Sequence, residues 1–96
     1  MASSKSIMQD EKKCYICGMT RGLERHHVFG AAYRKKSDRL GLTVYLCHYH
    51  HNEPPHGVHH NRANMDWLRM RGQAAYMDYY GASKDDFIRE FGRNYL

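Results

Sequence analysis

The hydrophobic and polar positions along the chain first define two short β-prone segments. The segments are LERHHVF (residues 23–29) and LTVYLC (residues 42–47), the second of them apolar and rich in β-branched residues. The polar and basic stretch GAAYRKKSDRLG separates them. Two strands with a connection of this length predict an antiparallel hairpin with a long basic loop.

Helical signals follow the second strand. Residues 48–61 begin in a helix-like manner, and Pro54, Pro55 and Gly57 then interrupt the pattern. Apolar residues recur near helical spacing over residues 62–80, and Gly81 stands where a helix end is expected. We interpret this apolar stripe as core rather than as a base-stacking surface. Its members are Met65, Leu68, Ala75, Tyr76 and Tyr79.

A capping box predicts a last short helix. Ser83 and Asp86 have the spacing of that motif, and the residues that follow carry Phe87, Ile88 and Phe91. Residues 1–12 are polar and are expected to form a flexible tail, which leaves residues 13–96 as a single domain.

Composition and charge narrow the classes of partner. The 15 Lys and Arg against 10 Asp and Glu give a formal charge of +5, which favours a polyanion such as nucleic acid, although a merely basic surface would have the same charge. The start of the chain has no apolar segment typical of a secretory signal, and no apolar run approaches the roughly 20 residues that span a bilayer. The expectation is a cytoplasmic protein without a membrane partner.

Paired Cys and His motifs predict a structural zinc site. A C-x-x-C precedes the first strand, a C-x-x-H ends the second, and an antiparallel hairpin brings these two ends together. The alternative is a redox pair with Cys47 as a core thiol, and His48 or His51 could replace the fourth ligand. The candidate ligands are Cys14, Cys17, Cys47 and His50.

Histidines outside that set predict a second, open metal site. The chain has eight histidines, of which a pair lies on the first strand and several follow the second strand. Three protein ligands with an open position are typical of a catalytic metal. The alternative interpretation is a group of solvated loop histidines.

The motifs RHHVFG, LTVYLCHYHHN and GVHHN together resemble the HNH, or His-Me finger, nucleases over about residues 14–61. The whole chain is most similar to small HNH-like proteins encoded by phages and prophages. The resemblance implies an α+β fold in which a ββα-metal hairpin-helix core and a zinc knuckle occupy residues 14–61. Residues 62–96 would then form a helical C-terminal part.

The same resemblance implies roles for single histidines. His26 corresponds to the first ligand of the catalytic metal, His27 to the general base, and His51 to the second ligand. His59 resembles an additional ligand and is preferred to the other two histidines of residues 56–60. Two departures from the motif are Leu42, where the family has an Asn that orients the hairpin, and the Pro54–Pro55 break in the motif helix.

The adjacent histidines also impose a geometric requirement. Neighbouring side chains of a regular strand point to opposite faces of the sheet. For His26 and His27 to serve one site, the strand must end, bulge or twist there, and Gly30 close behind makes an early end plausible. A regular, fully paired strand with the two rings on opposite faces would count against a shared site.

The function predicted from these features is metal-dependent endonucleolytic hydrolysis of DNA with weak sequence specificity. The catalytic cation is left open among Mg²⁺, Mn²⁺, Ni²⁺ and Zn²⁺, although imidazole ligands suit the transition metals better than magnesium. The partners would be DNA and a phage or host recombination or packaging protein. The alternative is a non-catalytic zinc-binding module of phage origin that binds nucleic acid or protein. The predicted phosphate contacts are Arg34, Lys35, Lys36 and Arg39, which could instead be a solvated charge run.

Overall fold

Two antiparallel strands form the sheet of the computed structural model, which describes residues 5–96 and has an α+β fold. The strands pair in register from Leu23 opposite Cys47 to His27 opposite Thr43, so the predicted hairpin is confirmed. In chain order, the strands and the four α-helices of the described residues are β1 (Leu23–His27), α1 (Arg34–Arg39), β2 (Thr43–Cys47), α2 (His48–Asn52), α3 (Arg62–Tyr80) and α4 (Lys84–Phe91).

The basic connection between the strands is helical, whereas the sequence predicted a loop. A 3₁₀ turn (Ala31–Tyr33) leads into α1. The reason is the buried Ser37, whose hydroxyl accepts a hydrogen bond from the Phe29 N–H (3.2 Å) and donates one to the Leu42 carbonyl (2.5 Å). One side chain in α1 thereby joins the end of β1 to the start of β2.

The C-terminal helices match their predicted limits. Helix α3 ends at Gly81, which adopts the left-handed conformation (φ 61°) that glycine tolerates best. Ser83 and Asp86 form the predicted reciprocal capping box at the start of α4. None of the helices among residues 5–96 combines the length and apolar composition that crossing a membrane requires.

The core lies between the sheet and the two C-terminal helices. Phe29 from the segment after β1 packs on Phe87 and Phe91 of α4, with ring centroids 5.3 and 4.6 Å away. Leu68 and Tyr76 of α3 are buried as the helical spacing predicted. Tyr79, which the same spacing assigned to the core, is instead 66% exposed in the last turn of α3.

Part of the N-terminal segment lies along the hairpin. Ser6 Oγ donates to the Thr43 carbonyl (2.6 Å), and the Ile7 N–H donates to the Gly41 carbonyl (2.9 Å). Gln9 Oε1 accepts a hydrogen bond from the Tyr45 N–H at 2.6 Å. The predicted flexible tail therefore contacts the sheet at residues 6–9, and its residues 1–4 lie outside the described part of the chain.

Close packing at Gly72 gives a test of how α3 meets the sheet. A Cβ atom at Gly72 would lie 2.9 Å from Val28 Cγ1 and 3.1 Å from Phe29 Cε2. In an open helical position, Gly→Ala stabilises a protein by about 1 kcal/mol. Here we expect Gly72→Ala to destabilise the protein by about 1–3 kcal/mol through overpacking. Urea unfolding measures the change.

The matched control for this substitution is Ala74→Gly. Ala74 is exposed on the same helix, so its replacement should cost only the helix propensity of about 1 kcal/mol. Stabilisation by Gly72→Ala would contradict the contact between α3 and the residues that follow β1.

Candidate metal centres

Three cysteines and one histidine converge at the open end of the hairpin. Their ligand atoms lie within 4.8 Å of one another, so this group could hold a metal ion such as zinc. These residues meet because of the pairing register of β1 and β2. It places Leu23 opposite Cys47 and so brings the turn before β1 next to the start of α2. The group consists of the predicted Cys14, Cys17, Cys47 and His50.

A tight turn presents the first two thiols. The Gly18 N–H donates to the Cys14 carbonyl and the Cys14 N–H donates to the Met19 carbonyl, both at 2.8 Å. Gly18 has a φ of 80°, a conformation that side-chain-bearing residues rarely adopt. The Tyr15 N–H donates to the Tyr45 carbonyl (2.8 Å), which attaches the turn to β2.

The spacing of the donor atoms fits a tetrahedral zinc ion. Cys17 Sγ and Cys47 Sγ are 3.8 Å apart, and Cys47 Sγ lies 3.2 Å from His50 Nδ1. Zinc–sulfur bonds of about 2.3 Å place two tetrahedral ligands about 3.8 Å apart. The three cysteines are free thiols, and three thiolates with one imidazole complete a closed zinc set. Such a site has no open position for a substrate, so its role would be to stabilise the fold.

Three further histidines form a second cluster, again within 4.8 Å of one another. His26 comes from β1, His51 from α2 and His59 from the 3₁₀ turn Val58–His60. His51 Nε2 and His59 Nε2 are 3.0 Å apart, and the His26 ring centroid lies 5.1 and 5.2 Å from those of His51 and His59. The turn that follows Pro54–Pro55 therefore folds back far enough for His59 to join the other two rings.

The buried His26 ring supports a metal at this cluster. His26 is 3% exposed, and its Nε2 is buried without a hydrogen-bond partner among the described residues. Burial, followed by the neighbouring His51 and His59, lowers the pKa of His26 to about 3, so the ring is neutral at physiological pH. An unpaired buried nitrogen is costly, and a bound cation would satisfy it. Three neutral imidazoles suit zinc, nickel or cobalt and leave coordination positions open.

Glu24 orients His51 on α2, a role that the sequence did not predict. Glu24 Oε1 accepts from His51 Nδ1 (2.8 Å), and Oε2 accepts from His48 Nδ1 (3.0 Å). These hydrogen bonds, from His51 first and then His48, lower the pKa of Glu24. Because a carboxylate only accepts, the His51 proton sits on Nδ1 and the Nε2 lone pair faces the cluster. The signal in the sequence was the two-residue spacing from Glu24 to His26, which places both on one strand face.

His27 lies on the opposite face of β1. Its Nε2 is 3.3 Å from Asp38 Oδ1 of α1, and the same carboxylate pairs with Arg25 at 2.5 Å. The strand pairs regularly through His26 and His27, and it ends at His27. The two rings therefore contact different elements, and this regular pairing counts against a single site shared by His26 and His27.

The basic residues of α1 divide into two groups. Arg34, Lys35 and Arg39 are exposed. Lys36 instead donates to the Glu90 carbonyl (2.8 Å), and its ammonium lies 5.8 Å from the centroid of the Tyr33 ring. Lys36 thus attaches α1 to α4. These contacts within the protein explain the position of its side chain, so the predicted phosphate contact is not needed to explain it.

Comparisons with protein-family models, with curated proteins and with solved structures found no match to this chain. What the chain binds therefore has to follow from the geometry of its own residues. Two features of that geometry, the closed thiolate cluster and the open histidine cluster, can be tested separately.

The first test concerns the thiolate cluster. We expect wild-type protein to retain one tightly held zinc ion after dialysis and Cys17→Ser to lose it, together with its cooperative thermal unfolding, because metal affinity contributes to folding. Atomic absorption and circular dichroism provide the two measurements. His56→Ala is the control, since His56 belongs to neither cluster. Full zinc retention by Cys17→Ser would contradict the assignment.

The second test concerns Glu24. Replacing it by Gln keeps the shape but removes the charge that orients His51, and such changes lower metal affinity by about 10- to 100-fold. Calorimetric titration of zinc-loaded protein with Co²⁺ measures the weaker site. Glu53→Gln is the matched control, because Glu53 pairs only with the outer nitrogen of His48 (2.9 Å). Equal Co²⁺ affinities of wild type and Glu24→Gln would show that the carboxylate does not position a ligand.

Proposed function

We propose that this chain is a metal-dependent DNA endonuclease of the HNH, or His-Me finger, type. Its ββα-metal core would consist of β1, β2 and α2. The observation that carries the proposal is the meeting of His26, His51 and His59 beside a strand that ends at His27. The order of these residues along the chain is that of the family motif, and the C-x-x-C and C-x-x-H pairs bracket the same unit.

His26, His51 and His59 would hold the catalytic cation. Bound by these histidines, a divalent ion would supply Lewis-acid stabilisation of the charge that develops during phosphodiester hydrolysis. Because the three imidazoles are neutral ligands, they do not offset the charge of that ion. The all-nitrogen set favours zinc, nickel, manganese or cobalt over magnesium, which prefers oxygen ligands.

His27 is the general base of the proposal. Its Nε2 faces the acceptor-only Asp38 carboxylate, so the proton sits on Nε2 and Nδ1 is the nitrogen that takes a proton from water. Burial lowers the pKa of His27, despite the opposing effect of Asp38, and keeps the ring neutral and able to accept a proton. Asp38 would thus orient the base in place of the motif Asn, since Leu42 at that position is fully buried in the core.

The separation of His27 from the histidine cluster constrains the substrate. A phosphodiester that reaches both must lie across the end of β1, where His27 is the last residue. Helix α1 flanks this end through Asp38, and its exposed Arg34, Lys35 and Arg39 would contact the DNA backbone. Backbone contacts carry no base information, so cleavage would be weakly specific or directed by a phage or host recombination or packaging protein.

The test is a nicking assay on supercoiled DNA with several divalent metals. We expect His27→Ala to lower the rate by about 10²–10⁴-fold, the contribution of a positioned general base, with Co²⁺ affinity unchanged. Asp38→Asn should lower the rate less, because the ring stays in place but loses the carboxylate that selects its tautomer. His60→Ala, outside both clusters, is the control for histidine removal.

A different outcome would favour the non-catalytic alternative. If zinc-loaded protein cleaves no supercoiled, single-stranded or branched DNA with any divalent metal, and His27→Ala binds DNA as wild type does, the nuclease proposal fails. The chain would then be a zinc-binding module for nucleic acid or protein.

A further inference from the structure

Arg69 on α3 is a cation with an unused buried hydrogen-bond donor. Its Nε is buried and has no hydrogen-bond partner among the described residues. Burial is the largest cause of the lowered pKa values of His26 and His59, and the positive charge of Arg69 contributes to both. The packing of α3 agrees with this, because Gly72, one helical turn after Arg69, lies against Val28, two residues after His26, with its Cβ position 2.9 Å from Val28 Cγ1.

The C-terminal segment provides the support for this guanidinium. The central carbon of the Arg69 guanidinium lies 5.8 Å from the centroid of the Tyr95 ring. Tyr95 is held by its N–H, which donates to Gln73 Oε1 (2.6 Å), while Gln73 Nε2 donates to Asn94 Oδ1 (2.8 Å). Gln73 is fully buried and lies one helical turn after Arg69, so both side chains extend from one face of α3. A buried amide thus fixes the aromatic ring against which Arg69 lies.

A second guanidinium increases the positive charge at this ring. That of Arg93 lies 4.8 Å from the Tyr95 centroid. Among residues 5–96, neither Arg69 nor Arg93 forms a salt bridge. The carboxylate of Glu24, which contacts the histidine cluster, already accepts hydrogen bonds from His48, His51 and Asn52. The positive charge beside the cluster is therefore left for an anion from outside the protein.

We infer that Arg69, supported by Tyr95 and assisted by the charge of Arg93, is an anion-binding residue that takes a phosphate oxygen next to the metal at the histidine cluster. A guanidinium offers a planar fork of donors that matches two phosphate oxygens. Packing against an aromatic ring pre-orders the side chain, so little rotamer freedom is lost on binding. The identity of that phosphate as part of DNA depends on the proposed function, whereas phosphate binding itself does not.

The experiment measures binding of inorganic phosphate to protein that carries zinc at the thiolate cluster and Co²⁺ at the histidine cluster. Calorimetry in a phosphate-free buffer gives the affinity. We expect Arg69→Ala to weaken phosphate binding by about 10- to 100-fold, the range for loss of a charge-assisted hydrogen bond, without any loss of Co²⁺ affinity. Arg69→Lys keeps the charge but not the fork, and it should bind phosphate with intermediate affinity.

Arg71→Ala is the matched control. Arg71 lies on the same helix but donates to the Tyr15 hydroxyl (3.3 Å), near the thiolate cluster, so its loss should leave phosphate affinity unchanged. If Arg69→Ala does not fold, the phosphate affinities of Arg69→Lys, which keeps the charge, and Arg69→Gln, which removes it, are compared instead. The inference predicts the weaker binding for Arg69→Gln. Circular dichroism establishes the folded state of each variant.

The outcomes separate this inference from the proposed function. Wild-type affinity for phosphate in Arg69→Ala would overturn the inference, even if the protein cleaves DNA. Loss of phosphate binding in that variant would support it, even if wild-type protein cleaves no DNA. If cleavage occurs, Arg69→Ala should lower kcat/KM by a factor similar to its loss of phosphate affinity.

Discussion

The pairing register of β1 and β2 is the constraint on which both candidate metal centres depend. It places Leu23 opposite Cys47, which brings the C-x-x-C turn to the start of α2. It also directs His26 toward α2 and His27 toward α1, because side chains alternate along a strand. A slip of one residue would exchange the two histidines and bring His27 to the cluster instead.

The cysteine cluster would stabilise the fold, and the histidine cluster would hold the catalytic metal. A chain of 96 residues has a small core, and a closed zinc site would fasten the turn before β1 to β2 and α2. The histidine cluster joins the same hairpin to α2 and to the Val58–His60 turn, and it would keep coordination positions open. Glu24 holds one member of the cluster, His51, by a hydrogen bond, and the Nε of Arg69 on α3 is buried without a partner among the described residues. A metal ion and an arginine that contact one phosphate would both stabilise its negative charge.

Local signals made much of this structure predictable. Residue spacing and capping chemistry located the hairpin, the limits of α3, and the Cys and His residues that the structure brings together, since each signal is a short motif. Three features could not be predicted in this way: the helical form of α1, the Asp38 partner of His27, and the packing of Lys36 on α4. Each depends on a tertiary contact, such as the two hydrogen bonds of buried Ser37, that composition does not reveal.

The most direct test of the central claim is anomalous X-ray scattering from crystals of the zinc-loaded protein soaked with Co²⁺. The account predicts two metal peaks. Zinc should lie among Cys14, Cys17, Cys47 and His50, and cobalt should lie among His26, His51 and His59, with density for exchangeable ligands in its open positions. A single peak at the cysteine cluster, with the His26 ring hydrogen-bonded to protein groups in fully soaked crystals, would contradict it.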